Sequence, residues 1–84
     1  MDKRLMNDRL AIRGYLQKLL RQKGDPGGFT DSDSLIVTGR LESVDTLEVV
    51  VFLEEQFQID FADRGFDQND LDSVDSIMSL VESR

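Results

Sequence analysis

Ser43 is the residue whose neighbours most suggest chemistry. It stands in the run Leu41-Glu42-Ser43-Val44-Asp45-Thr46-Leu47-Glu48, where carboxylates and apolar side chains alternate around a hydroxyl. A serine attacks a substrate only when a neighbouring base takes its proton. The chain has no histidine and no cysteine, which removes the commonest general base, the thiol nucleophile, thiolate zinc sites and disulfides together. Carboxylates are plentiful, but acid–base work needs one of them desolvated in a cleft. A chain of 84 residues has no room for a deep cleft, so catalysis is not expected. Taken alone, Ser43 reads as the N-cap of a helix, with Asp45 in the first turn, where the helix dipole favours negative charge.

The acidic loops invite a calcium reading. Asp31 and Asp33 could be the first and third positions of an EF-hand loop, with Glu42 at the twelfth. Ile36 then occupies the turn position that requires glycine, and Leu35 a ligand position. A loop from Asp67 puts Met78 where the bidentate glutamate belongs. Neither fits, and no metal site is expected.

Helices must position these residues. Leu5, Ile12, Leu16, Leu19 and Leu20 fall on one stripe of a 3.6-residue period, with Tyr15 at its edge. Gly24 and Pro26 end that helix. Residues 29–42 read as a long loop whose Leu35-Ile36-Val37 patch plugs the core. A second helix is predicted from Ser43 to about Gln58. Val50, Leu53 and Phe57 form its core side, with Val49 at the margin. Val44, Leu47 and Val51 form a second apolar strip bordered by Glu48, Glu54 and Glu55, which is more apolar surface than a small core requires. A short piece is predicted around Asp63 to Phe66. A last helix is predicted from about Asp72 or Ser73, burying Val74, Ile77, Met78 and Val81. The result is an all-α antiparallel bundle forming a single domain over 1–84.

Composition limits the partners. Hydrophobic residues make up 39% and charged residues 32%, as in a soluble globular domain. No apolar run is long enough to span a membrane and no signal-peptide pattern opens the chain, so the cytoplasm is expected. The net charge of −7 argues against nucleic acid. That charge is uneven: residues 1–23 sum to +5, and 24–84 to −12. The basic segment reads as a solvated helix face held against an acidic body.

The frame Gly39-Arg40-Leu41-Glu42-Ser43-Val44-Asp45-Thr46-Leu47-Glu48-Val49-Val50-Val51-Phe52-Leu53-Glu54-Glu55-Gln56-Phe57 closely resembles the acyl carrier protein family. There an acid, a serine and an apolar residue open the second helix. An acid, an apolar–acid–apolar–apolar run and a Leu-Glu-Glu-x-Phe ending follow. Ile59-Asp60-Phe61 and the Ser73-Val74-x-x-Ile77 helix start also fit, so the resemblance covers most of the chain. Three positions depart from the pattern: Glu42 where aspartate is usual, Phe52 where a small residue is usual, and Ala62 in place of a proline. The Gly-x-Leu-acid-Ser opening is similar to that of D-alanyl and peptidyl carriers.

The resemblance implies a four-helix acyl-carrier bundle with a long first loop and a short third helix. It implies that Ser43 accepts 4′-phosphopantetheine from coenzyme A, and that the arm's thiol carries cargo as a thioester. The cargo would be an acyl intermediate of fatty acid, polyketide or related lipid synthesis. The alternative is an amino acid or peptide loaded by a stand-alone ligase. The implied partners are a phosphopantetheinyl transferase and loading, synthase and transferase enzymes with basic docking surfaces. They would meet Glu42, Val44, Asp45, Leu47, Glu48, Val51, Glu54 and Glu55 on a monomeric carrier. A third reading is an acidic interaction module in which Ser43 is only a cap.

Overall fold

The three longer helices form where the apolar periodicity placed them, and a computed structural model describes residues 3–83, with side chains from residue 7 onward except Arg64. Helix α1 spans Lys3–Gln22. Ile12, Leu16, Leu19 and Leu20 are buried on its inner stripe, Tyr15 is half-buried at the edge, and the side chain of Leu5 lies outside the described residues. Gly24 ends the helix at φ 83°, a left-handed conformation that costs glycine little. Its N–H reaches Arg21 O at 3.0 Å, and the next N–H reaches Leu20 O at 2.9 Å, which satisfies two carbonyls of the last turn.

Helix α2 spans Ser43–Phe57 and buries Val49, Val50, Leu53 and Phe57. Val49 is only 1% exposed, so it belongs to the core and not to its margin. The two long helices run antiparallel. Lys23, just past the end of α1, meets Asp45 at the start of α2, while Tyr15, farther back on α1, stacks on Phe52, farther along α2.

The loop between them is bound down along its length. Phe29, Leu35 and Leu41 are buried plugs. The expected plug Leu35-Ile36-Val37 is split: Leu35 is 1% exposed, Ile36 is half-buried and Val37 is 76% exposed. The turn through 35–39 rotates successive side chains away from the core, so only the first stays inside. Arg9 and Arg13 of α1 both pair with Asp31 at 2.6 Å, and Arg9 also reaches Asp75 at 2.9 Å. Arg13 lies 4.6 Å over the Phe29 ring and donates to Phe29 O at 3.0 Å. Arg40 donates to Asp25, Gly27 O and Gly28 O. The basic segment therefore supplies Arg9 and Arg13 to hold the loop, and the loop adds its own Arg40.

The chain after α2 differs most from expectation. Helix α3 spans Phe61–Arg64 rather than 63–66. Asp60 caps it by accepting from Asp63 N at 3.1 Å, and buried Ile59 and Phe61 pin its start to the core. A 3₁₀ helix over Gln68–Leu71 follows, which the periodicity did not indicate. Asp67 caps it through Asn69 N at 2.8 Å, and Leu71 is completely buried. Helix α4 spans Val74–Glu82 and buries Val74, Ile77, Met78, Leu80 and Val81. Ser73 caps it, accepting from Ser76 N at 3.1 Å.

Asp72 does a different job from capping. Its carboxylate accepts from Ile36 N at 2.8 Å and Val37 N at 3.2 Å, and its carbonyl accepts from Leu35 N at 2.7 Å. Burial pushes this carboxyl upward, but the Ser34 hydroxyl and the two loop N–H groups hold it below its ordinary value. The whole is an all-α bundle of four α-helices around one continuous core, with no strand among the described residues. Among those residues no helix is long and apolar enough to cross a membrane.

Asp72→Ala should destabilise the protein by about 1–3 kcal/mol, since two loop N–H groups lose a charged acceptor. Asp72→Asn, which keeps one carbonyl oxygen, should lose less. Urea unfolding of the two variants measures both.

Candidate functional site

Ser43 is exposed and occupies the first position of α2, one place later than a cap. The expectation that it caps the helix is corrected: Glu42 stands at the N-cap, with extended backbone at φ −98° and ψ 171°. The helix start is closed from inside by Asp45, whose carboxylate accepts from Glu42 N at 2.8 Å. The Ser43 hydroxyl is thereby released from capping. Its contact is the Gln68 side-chain amide, which donates at 3.4 Å from the 3₁₀ helix. The Ser43 carbonyl accepts from the Thr46 hydroxyl at 2.6 Å, within the first turn.

Asp45 is also corrected. The resemblance put it among partner-recognition residues, but it is 7% exposed. Lys23 donates to it at 2.5 Å and lies 3.5 Å from Glu42. Burial raises the Asp45 carboxyl, but the Lys23 ammonium and the Glu42 N–H more than offset this, so it titrates below the ordinary carboxylate value. The hydrogen bond to Asp45 raises Lys23 above the ordinary lysine value. Asp45 is thus a positioning residue for the helix start rather than a contact surface.

The other residues singled out in α2 lie where a partner could reach them. Val44, Leu47 and Val51 are 61%, 59% and 49% exposed, and Glu42, Glu48 and Glu55 are exposed beside them. Glu54 is half-buried. The apolar strip is therefore left outside the core, whose side of α2 is filled by Val49, Val50, Leu53 and Phe57.

Phe52 has a specific partner that spacing alone did not identify. Its ring stacks on Tyr15 with centroids 4.1 Å apart and planes 13° apart, and it meets Phe57 edge-on at 6.0 Å. The Tyr15 hydroxyl donates to Glu48 O at 3.1 Å. Beside this pair a surface groove of about 350 Å³ is lined by Tyr15, Leu47, Glu48, Val51, Phe52 and Glu55. Burial first, then the charges of Glu48, Asp45 and Glu55, push the Tyr15 phenol up. The signal for the pair was an aromatic at the edge of the α1 stripe and another in mid-α2.

Among the described residues no group of three or more acidic side chains is arranged to hold a metal ion. Asp31, the first residue of the calcium reading, is taken up by Arg9 and Arg13. No protein-family model matches the chain, and no curated protein or solved structure matches it either.

Three expectations follow from this geometry. Ser43→Ala should change stability by less than about 0.5 kcal/mol, because no cap is lost. Val51→Ala should cost less than about 1 kcal/mol, and Val49→Ala about 1–3 kcal/mol, reflecting their different burial. Thermal melts separate these values.

The Lys23–Asp45 pair should give a stability plateau across neutral pH. The lowered carboxyl contributes fully above the unfolded aspartate value of about 3.9, and its contribution is lost as pH falls through the folded value. The raised ammonium contributes fully below the unfolded lysine value of about 10.4, and is lost as pH rises through the folded value. The melting difference between the native chain and Asp45→Asn should shrink at both ends.

Proposed function

We propose that this chain is a carrier protein that holds cargo as a thioester on a 4′-phosphopantetheine arm attached to Ser43. The observation that carries this reading is the Ser43 hydroxyl: exposed, at the first turn of α2, freed from capping by Asp45, and flanked by an apolar strip outside the core. Its support in sequence is the Gly39–Phe57 frame. A phosphodiester at this position would meet the unpaired N–H groups and positive dipole of a helix start. Lys23 offsets the nearby negative charge of Glu42 and Asp45. The arm brings its own thiol, so a chain without cysteine can carry a thioester.

The protein's own part is presentation. Glu42, Glu48, Glu54 and Glu55 would steer a phosphopantetheinyl transferase and the loading and receiving enzymes through their basic surfaces. Val44, Leu47 and Val51 would supply apolar contact. Short-lived docking suits a carrier that visits several enzymes in turn. The cargo is an acyl group of lipid or polyketide synthesis. The Gly39-x-Leu41-Glu42-Ser43 opening favours an amino acid as the second candidate.

Incubation with a phosphopantetheinyl transferase and coenzyme A should raise the intact mass by one phosphopantetheinyl group, and Ser43→Ala should take up none. A native chain that stays unmodified, or a variant that is still modified, would overturn the assignment. Glu48→Lys with Glu55→Lys should slow transfer about tenfold at low salt and flatten its salt dependence. Stopped-flow or gel-based transfer assays read both effects.

A further inference from the structure

We propose that the groove between α1 and α2 is a socket for an arginine side chain presented by a basic protein partner, stacked on the Tyr15–Phe52 pair between Glu48 and Glu55. Phe52 is the centre of the argument. Glu48, Phe52 and Glu55 are spaced i, i+4 and i+7, so they share one face of α2 with the ring between the two carboxylates. The ring is held in place by the Tyr15 stack at 4.1 Å and the Phe57 edge at 6.0 Å. Tyr15 is itself fixed by its bond to Glu48 O. The aromatic wall is thus built before any partner arrives.

Charge selects the occupant. Helix α2 contains no basic residue. The cations in the described ion pairs, Arg9, Arg13, Lys23 and Arg40, are directed at Asp31, Asp75, Asp45, Glu42 and Asp25. Among the described residues none pairs with Glu48 or Glu55. The burial and charge that raise the Tyr15 phenol indicate the same negative, partly dry surroundings. A neutral apolar side chain would use Leu47 and Val51 but leave both carboxylates over the groove without a counter-charge. A guanidinium satisfies both demands: its flat face stacks on an aromatic ring, and its N–H groups donate to carboxylates. An ammonium has the charge without the flat face. The groove volume of about 350 Å³ is more than one such side chain fills, leaving room for an apolar neighbour against Leu47 and Val51.

This deepens the docking surface of the carrier reading but does not depend on Ser43, so the test uses the unmodified protein. The probes are three blocked peptides, Ac-Leu-Arg-Ala-Leu-NH2 and its citrulline and lysine counterparts. Tyr15 is the single tyrosine and there is no tryptophan, so intrinsic fluorescence reports on the groove directly. The arginine peptide should change that fluorescence and shift the amide resonances of residues 47–55. The citrulline peptide should bind roughly tenfold more weakly, with lysine between them. Glu48→Gln with Glu55→Gln should remove most of the arginine preference, while leaving the melt unchanged because neither side chain is buried.

Equal binding of arginine and citrulline peptides would overturn the proposal in favour of a neutral apolar occupant. An arginine preference that survives the double variant, or shifts outside the groove, would also overturn it. So would concentration-dependent dimerisation that shields Tyr15, which would assign the groove to a second copy. A protein that takes up phosphopantetheine yet shows no arginine preference loses this proposal alone. One that shows the preference but takes up no arm loses only the carrier reading.

Discussion

The carboxylate of Asp45 is the point on which the arrangement around Ser43 depends. It accepts the Glu42 N–H and the Lys23 ammonium together while almost excluded from solvent. The first bond fixes where α2 begins. The second ties that beginning to the end of α1. A buried carboxylate without such partners would be costly to keep charged, so the two bonds also stabilise each other's geometry. With the helix start closed this way, Ser43 stands one position inside the helix and its hydroxyl points to no capping donor. Closing the helix start falls to Asp45 and Glu42, which leaves the Ser43 hydroxyl outside the cap.

The same division of labour runs through the charges. Arg9, Arg13 and Lys23 face inward toward the loop and the start of α2, and Arg40 closes the loop on itself. The acids of α2 beyond the first turn have no such partners among the described residues. Glu48, Glu54 and Glu55 therefore leave negative charge on a helix that also carries the exposed Val44, Leu47 and Val51. Apolar area gives contact, and unpaired charge gives direction and speed of encounter.

The loop of 23–42 shows how a small domain completes its core. Four α-helices and a 3₁₀ turn do not cover the interior alone. Phe29, Leu35 and Leu41 enter it from irregular backbone, and the backbone groups of 35–37 must then find partners. Asp72 provides them from just before α4. The loop, the last helix and the start of α2 are consequently coupled, and Gln68 brings the 3₁₀ segment to Ser43 itself.

The sequence by itself determined the helical class, the inner stripe of α1, the stop at Gly24, the two apolar sides of α2 and a last helix starting at Asp72 or Ser73. Each rests on local spacing and capping preferences that hold before any long-range contact forms. It also picked out Ser43 and its neighbours, through a resemblance carried by one contiguous frame. Tertiary structure alone decided that Asp45 is buried and Glu42 is the cap, since Lys23 comes from a separate helix. It alone split Leu35 from Val37, because the loop's turn depends on Asp72. It alone joined Tyr15 to Phe52, because the register of two antiparallel helices is set by the packing of the whole core. Local pattern tells which face of a helix is apolar, and only the packed fold tells what that face will meet.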